Sequence, residues 1–449
     1  MNLLPDKNLA RGVLSMSAPA VAGLSSQMIV SVAETAMVGR LSNTSVILAA
    51  MGIGVLAAWA ITSVFSSLAT GTHVLVARRS GEKNYREVAE VLNSSLFLAL
   101  ILGTAIGTLG YFSSYAIVDF FSSDPAVPVE GAPYLQWRFI GLTFFLIVVS
   151  YRGFFNGIGH THVFMYSAII INLSNIILTY LLVFGALGFP RMGLEGAGLS
   201  SALSNAIGCI FFVCATFLPS YRKTFKYYRR LGIRKSIIVS VVRISAPVSL
   251  QNVMILLGFL IFVAITGLIS VAAQAASQVV TTALFMSFLP CFGFGIGAQT
   301  LVGQSIGNGD QSLARRYGVE AAKLATYFTI LLGLIFLMFP DSVIGFITNN
   351  PDVALTARPA IRIAGAAQVF YASGIVLAHA LQAAGATVYV MFVEVVTHWV
   401  IFLPASYLMG VTFRWGLVGA WLALPLYIVS YSSLMYLKYR RDGWLLAKT

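Results

Sequence analysis

The chain has 449 residues, of which 58% are hydrophobic and only 10% are charged, and its formal net charge is +13. Soluble domains carry about 25% charged residues, so this composition excludes an ordinary soluble protein and predicts an integral membrane protein. The basic residues are concentrated in short breaks between apolar runs, a pattern typical of membrane orientation signals. We therefore expect contact with membrane lipid and no nucleic-acid partner.

Twelve apolar runs are long enough to cross the hydrocarbon core, which needs about 20 helical residues. In chain order they are 14–38, 46–71, 92–118, 133–157, 163–187, 195–218, 237–267, 271–298, 321–340, 357–381, 387–410 and 416–438. Polar breaks, several of them containing glycine, separate the runs. The sequence thus predicts an all-α membrane protein with twelve transmembrane helices.

The distribution of Lys and Arg indicates which face is cytoplasmic. Most of the 28 basic residues lie in breaks on the same side as both termini, and the break at 221–235 alone has seven. The break at 119–133, on the other side, has none. Because cytoplasmic loops carry the excess of basic residues, we expect a multi-pass protein of the plasma (inner) membrane with both termini cytoplasmic.

The two halves of the chain resemble each other. The segment "SAPAVAGLSSQMIV" from Ser17 is similar to "SAPVSLQNVMIL" from Ser245, and further matches follow at offsets between 223 and 228 residues. Six spans separate corresponding helices, so they share one orientation and the repeat is parallel. The predicted parts are a first six-helix lobe at 1–218, a basic cytoplasmic linker at 219–236 and a second six-helix lobe at 237–449.

Two lobes that enclose a cavity are typical of a carrier that works by alternating access. The sequence has no zinc motif, nucleophile elbow or phosphate-binding loop. We therefore expect a transporter rather than an enzyme, acting as a monomer without a cofactor or metal ion.

Several segments resemble the multidrug and toxic compound extrusion (MATE) transporters. They include "AETAMVGRLS" at Ala33, "TLVGQSIGNGD" at Thr300 and "LQAAGATVYVM" at Leu381, and their order extends the resemblance over nearly the whole chain. The resemblance implies a twelve-helix exporter of small cationic or amphipathic compounds, driven by inward flow of protons or sodium ions. A flippase or exporter of lipid-linked or anionic metabolites is the alternative. Arginines facing the cavity would favour that alternative, whereas an acidic, aromatic cavity would favour the cation exporter.

Glu34 is a carboxylate inside the first apolar run. An ionised carboxylate at mid-membrane costs roughly 3 kcal/mol on insertion scales, and loss of water favours its neutral form. Gln27, Ser31 and Glu34 are spaced to form one polar stripe on a helix. In the family an Asp usually occupies the place of Glu34, so we predict that Glu34 is the ion-coupling residue. The alternative is a helix-end Glu paired with Arg40.

The resemblance extends this first-lobe pocket to the fifth helix, where the family often has an Asn followed four residues later by an Asp. Here Asn172 and Asn175 supply amides, and Thr179 stands where the Asp would be. A lone carboxylate suits a proton better than a sodium ion, which needs several oxygen ligands. Pro19, fifteen residues before Glu34, matches the helix-1 proline of proton-driven relatives and is either a hinge or a tolerated kink.

A possible second-lobe site lies on the eleventh predicted helix. Glu394 and His398 are four residues apart, so they can share a helix face and a proton. They are either a self-neutralising structural pair or a second ion or cargo site. Arg138 and Arg362, at matching repeat positions, are interpreted as interfacial or lobe-packing anchors, because aromatic residues around Arg138 are typical of a membrane-interface belt.

The orientation can be tested by labelling. A cysteine introduced at Ser122 should react with a membrane-impermeant thiol reagent added to intact cells, whereas one at Tyr228 should not, because the basic breaks face the cytoplasm. The reverse labelling pattern would invert the predicted topology.

Overall fold

The computed structural model describes residues 4–41, 44–227 and 232–444. Within them the chain forms twelve long helices, each apolar enough to cross a membrane. They are α1 Lys7–Val38, α2 Thr44–Gly81, α3 Tyr85–Phe120, α4 Ala126–Gly157, α5 Thr161–Phe184, α6 Leu194–Phe217, α7 Lys235–Ile269, α8 Val271–Gly307, α9 Gln311–Met338, α10 Pro351–Ala383, α11 Thr387–Thr412 and α12 Gly416–Arg440. The predicted all-α, twelve-helix membrane fold is confirmed.

Several helices extend beyond the apolar runs that predicted them. Helix α3 begins at Tyr85, where the side chain of Asn84 caps the first turn by accepting a hydrogen bond from the Glu87 N–H at 3.3 Å. Such polar first turns are stabilised by capping rather than by apolar burial. Two short helices that were not predicted, Pro219–Phe225 and Pro340–Gly345, each begin with a proline, whose fixed φ suits the first helical position.

Helix α11 is irregular. Its segments Thr397–Phe402 and Leu408–Thr412 are π-helical. Pro404 follows the first of them, and a proline has no N–H and crowds the carbonyl four residues earlier, which widens the preceding turn. Such widened turns are frequent at functional sites.

The contacts divide the chain into two compact units. One comprises Met1–Val21 with Leu250–Thr449, and the other is Ala22–Ser249. Each unit has its own apolar core. The divisions fall inside α1 and α7, two residues after Pro19 and Pro247. These prolines occupy matching places in the repeat, so both helices change packing partners just beyond a helix-weakening residue.

The predicted linker at 219–236 includes the short helix Pro219–Phe225, and α7 begins at Lys235 within its last residues. Residues 228–231, with Tyr228 among them, lie outside the described residues. The division into lobes at 218 and 237 stays a prediction.

Candidate functional site

The unit Ala22–Ser249 contains a cavity of about 200 Å³ with a partly polar wall. Its polar lining side chains are Gln27 of α1, Thr62 of α2, Arg138 of α4, and Ser201 and Asn205 of α6. Gln27 therefore lies where the predicted first-lobe pocket requires it.

Glu34 lies near Arg138, whose guanidinium group lines this cavity. It is four residues before the end of α1 at Val38, so it is near the helix end rather than at its middle. Arg138 interacts electrostatically with Glu34 and donates a hydrogen bond to the Ser201 hydroxyl at 2.8 Å. Among the described residues no hydrogen bond reaches Glu34 Oε1, which is buried. The cation beside Glu34 is thus Arg138, so the alternative pairing with Arg40 is wrong.

Helix α5 contacts α1 through Asn172, whose Nδ2 donates a hydrogen bond to the Ser26 hydroxyl at 2.6 Å. This contact fixes α5 against the α1 turn that carries Gln27. The side chain of Ser31, the third member of the predicted stripe, lies outside the described part of the chain.

The other α5 residues face α6. Asn175 donates a hydrogen bond to Ser201 at 3.2 Å, the same hydroxyl that accepts from Arg138. Thr179 shares a 2.6 Å hydrogen bond with the Ser200 hydroxyl. The Thr179 hydroxyl, at the position where the family often has an Asp, is thus used in a contact between α5 and α6. Asn175 is not among the residues that line the cavity, but it donates a hydrogen bond to the lining residue Ser201.

Arg138 is not an interfacial anchor. It lines the cavity, and its neighbour Trp137 donates a hydrogen bond to Glu195 of α6 at 3.0 Å, so the aromatic residues here pack α4 against α6. An ionisable residue within a span is a functional candidate by default, and that signal was present in the sequence. Arg362, at the matching position of the second half, is exposed.

The unit formed by Met1–Val21 and Leu250–Thr449 contains a second cavity, of about 250 Å³. Half of its lining residues are aromatic. The aromatic lining residues are Phe259, Phe262, Phe285, Phe288, Phe292, Tyr371, Phe402, Trp421 and Tyr427. Glu394 and His398 also line it, and the described lining includes no Lys or Arg. Such a wall can bind the apolar body and the charge of an organic cation.

Glu394 is fixed by tyrosines. It is only 4% exposed and accepts hydrogen bonds from the hydroxyls of Tyr427 and Tyr431 on α12. Tyr371 of α10 is close enough to interact with it electrostatically. Sequence reasoning missed these partners because they come from distant helices, although the four-residue spacing of Tyr427 and Tyr431 puts both on one face of α12.

His398 turns away from Glu394. Its ring packs on Gly258 of α7, where an added methyl group would overlap it, and lies 5.2 Å and 5.5 Å from the rings of Phe402 and Tyr427. Within the described residues neither ring nitrogen has a hydrogen-bond partner. The predicted Glu394–His398 pair is therefore not formed, because the carboxyl binds tyrosine hydroxyls while the imidazole packs on α7. Both still line one cavity.

Known proteins resemble this chain over nearly its full length. The MatE family model matches residues 19–181 and 247–408. The probable multidrug resistance protein NorM of Thermotoga maritima is 26% identical over 447 residues, which are 99% of this chain and 95% of that protein. The uncharacterized transporter YisQ of Bacillus subtilis is 25% identical over 441 residues, covering 96% and 94% of the two chains.

Solved structures share the fold. A crystal structure of MATE in complex with MaL6 superposes with a TM-score of 0.90 at 19% identity, covering 97% of each chain. A MOP superfamily transporter from Pyrococcus furiosus has a TM-score of 0.88 at 18% identity, covering 98% of this chain and 97% of the other. That protein is described by a reverse polarity of its binding pocket, which suggests a different function. The predicted resemblance is confirmed.

Glu394 and His398 should be only weakly coupled in stability. Because they share no hydrogen bond, the effects of Glu394→Gln and His398→Gln on the free energy of unfolding should couple less than those of a directly bonded pair. The matched control is Glu394→Gln with Tyr427→Phe, which share a buried hydrogen bond and should couple by about 1 kcal/mol or more. Equilibrium unfolding in mixed detergent micelles measures both cycles. Equal coupling in the two cycles would contradict this separation.

Proposed function

The chain belongs to the MatE family, and from this premise we propose that it is a secondary active exporter of cationic or amphipathic organic compounds, driven by proton influx. Its multi-pass helical architecture and its similarity to a probable multidrug resistance protein support multidrug efflux. The choice of a cationic cargo rests on the second cavity, which surrounds Glu394 with aromatic rings and has no Lys or Arg in its described lining.

The second cavity suits cargo better than the first. A cation over an aromatic face gains about 0.5–2 kcal/mol, and the tyrosines that hold Glu394 keep its carboxyl in place before cargo binds. The ring nitrogens of His398 offer a further hydrogen-bonding position. In the first cavity the Arg138 guanidinium would repel a cation, and repulsion is strong where water is scarce.

Glu34 suits proton coupling. Its carboxyl has Arg138 as a nearby charge, and no described hydrogen bond holds its Oε1. Protonated Glu34 is neutral, whereas ionised Glu34 attracts Arg138, so the two states favour different packings of the end of α1. A proton needs this one carboxyl, while a sodium ion would need several oxygen ligands together.

The orientation, the membrane location and the oligomeric state belong to the same proposal. The Lys and Arg bias supports cytoplasmic termini and a plasma-membrane location. We propose that the protein acts as a monomer.

Export or flipping of an anionic or lipid-linked compound is the second candidate. It is favoured by the cationic side chains of α4. Arg138 lines the first cavity, and the guanidinium of Arg152 lies 5.5 Å from the ring centre of Phe164. If this candidate is correct, purified protein should bind an amphipathic anion in preference to a cation, and Arg138→Gln should remove that preference.

Reconstituted vesicles test the function directly. We expect a pH gradient, without any sodium, to drive uptake of a fluorescent amphipathic cation into inside-out vesicles, and we expect cation binding to release protons from the purified protein. Transport that requires a sodium gradient and continues when the pH gradient is collapsed would overturn the proton assignment.

Two substitutions separate coupling from cargo binding. Glu34→Gln mimics the protonated state, so it should retain cation binding but lose gradient-driven export, and Glu34→Asp should keep part of it. Glu394→Gln removes the cargo carboxylate and should weaken cation binding about tenfold, equivalent to about 1.4 kcal/mol. Binding titrations and vesicle transport measure the two effects. Normal export and an unchanged pH profile in Glu34→Gln would show that this carboxyl is only structural.

A further inference from the structure

The unit formed by Met1–Val21 and Leu250–Thr449 contains a third pocket, of about 600 Å³. Residues at the start of α1, in the first turns of α9 and at the end of α12 line it. Leu4 and Tyr436 on its wall are exposed, so the pocket is open to its surroundings. A pocket of this size can hold a small ligand or a headgroup.

The wall of this third pocket is strongly basic. Its described lining includes five basic and two acidic residues, which are Lys7, Arg315, Arg316, Lys323, Arg440, Asp6 and Glu320. The lining therefore has a surplus of three positive charges. We call these seven residues and the space between them the basic pocket. Like charges gathered in a cleft attract ligands of the opposite sign, so the basic pocket favours an anion.

Both acidic residues are engaged within the protein. Asp6 accepts a hydrogen bond from Arg316 at 3.0 Å, and the buried Glu320 pairs with Lys323 at 3.3 Å. Hydrogen bonds from two backbone N–H groups in the first turn of α1, together with Arg316, lower the pKa of Asp6, so it stays ionised at physiological pH. An incoming anion therefore meets two carboxylates whose charges are already balanced.

Two of the cations can turn toward a ligand at little cost. Lys7 and Arg440 are exposed, and among the described residues neither side chain forms a hydrogen bond or an ion pair. Arg315 donates a hydrogen bond to the backbone carbonyl of Arg440 at 3.3 Å, which keeps the start of α9 beside the end of α12. Charges from three helices thus line one pocket, and two of them can bind an anion without breaking a described contact.

The basic pocket does not follow from the internal repeat. Three of its cations have apolar counterparts in the first half, Arg315 in Ala89, Lys323 in Phe97 and Arg440 in Phe217. Phe97 and Phe217 are exposed, as expected for side chains that face lipid. The same helix positions therefore carry apolar residues in one half and cations in the other. Because the fold does not require these charges, they indicate a ligand that only the second half binds.

An exposed apolar stripe continues from the basic pocket along α9. Tyr327, Leu331 and Leu334 follow Lys323 at intervals of four, four and three residues, so they share one side of the helix. All three are exposed, and α9 has no charged residue after Lys323. The stripe therefore leads from the charged wall into the apolar part of the span.

Helix α12 has a similar stripe. Val429 and Leu426 lie seven and ten residues before the lining residue Tyr436, on the same side of the helix, and all three are exposed. Both stripes begin at the basic pocket and run toward the middle of the membrane. A ligand that has a charged head and apolar chains matches this arrangement, whereas a small soluble anion would use only the head position.

From the basic pocket and its two stripes, we propose that this site binds the phosphate headgroup of an anionic phospholipid, with the acyl chains along α9 and α12. Basic pockets between membrane helices bind such headgroups on the cytoplasmic side, and the orientation proposed above places the site in that leaflet. The proposal rests on the helical membrane architecture and not on the transport function.

A bound headgroup joins three helix ends. Its phosphate lies among cations of α1, α9 and α12, so it holds the start of the chain against the last helix of the same unit. A ligand that binds the folded protein alone raises its apparent stability. Anionic phospholipid should therefore stabilise the protein as well as bind to it.

Lipid titration of the purified protein tests the site. Native mass spectrometry in detergent should show one phosphatidylglycerol that binds more tightly than any phosphatidylcholine. Lys7→Gln with Arg440→Gln should weaken this binding at least about tenfold, because each basic residue near an anionic lipid adds to the attraction. Binding that is unchanged in the double variant, or equal for the two lipids, would refute the proposal.

The matched control is Lys438→Gln with Arg441→Gln. It removes the same charge from the same end of α12, but neither residue lines the basic pocket, and Lys438 lies over the ring of Tyr389 at 5.0 Å. This variant should weaken phosphatidylglycerol binding less than about twofold. Equal weakening by both double variants would mean that the lipid is attracted by overall charge, and the assigned site would be wrong.

Glycerol phosphate separates a lipid ligand from a soluble phosphate ester, since it has the phosphate but no acyl chains. At equal concentration, phosphatidylglycerol but not glycerol phosphate should raise the midpoint of thermal unfolding, and Lys7→Gln with Arg440→Gln should abolish the rise. An equal rise with both compounds would reject the lipid as the ligand. None of these measurements involves transport, so their failure and the failure of the proposed function are distinguishable.

Discussion

The cost of keeping a charge away from water governs the few ionisable groups within the helices of this protein. A buried ion is tolerated only with partners, because its desolvation costs several kcal/mol even after relaxation. Glu394 meets this constraint with fixed tyrosine hydroxyls. Glu34 has only the nearby charge of Arg138 and a buried oxygen without a described hydrogen bond. In the proposed function, Glu394 is held in place for a cationic ligand, whereas the packing around Glu34 depends on its own protonation state.

The repeat builds one scaffold with two different cavities. Arg138 lines the first cavity, whereas its counterpart Arg362 is exposed. Glu34 has no acidic counterpart in α7, and Glu394 has none in α5. Backbone contacts are thus shared by the halves while intramembrane charges are not.

The sequence predicted the spans well, because length and apolarity alone decide which segments cross a membrane. It could not predict helix ends such as Tyr85, where a side-chain cap extends the helix into polar residues. Glu34 and Gln27 could be selected because they interrupt an apolar run. The partners of Thr179 could not be predicted, because they lie on another helix and no periodicity reveals which helix faces touch.

The two first helices, α1 and α7, each carry a residue of interest on one side of a proline. Helix α1 carries Glu34 near one end and Pro19 near the other. Helix α7 carries Pro247 and Gly258, which packs against the ring of His398 in the second cavity. In the proposed function, the proton and the cargo therefore act on matching helices of the repeat without sharing a site.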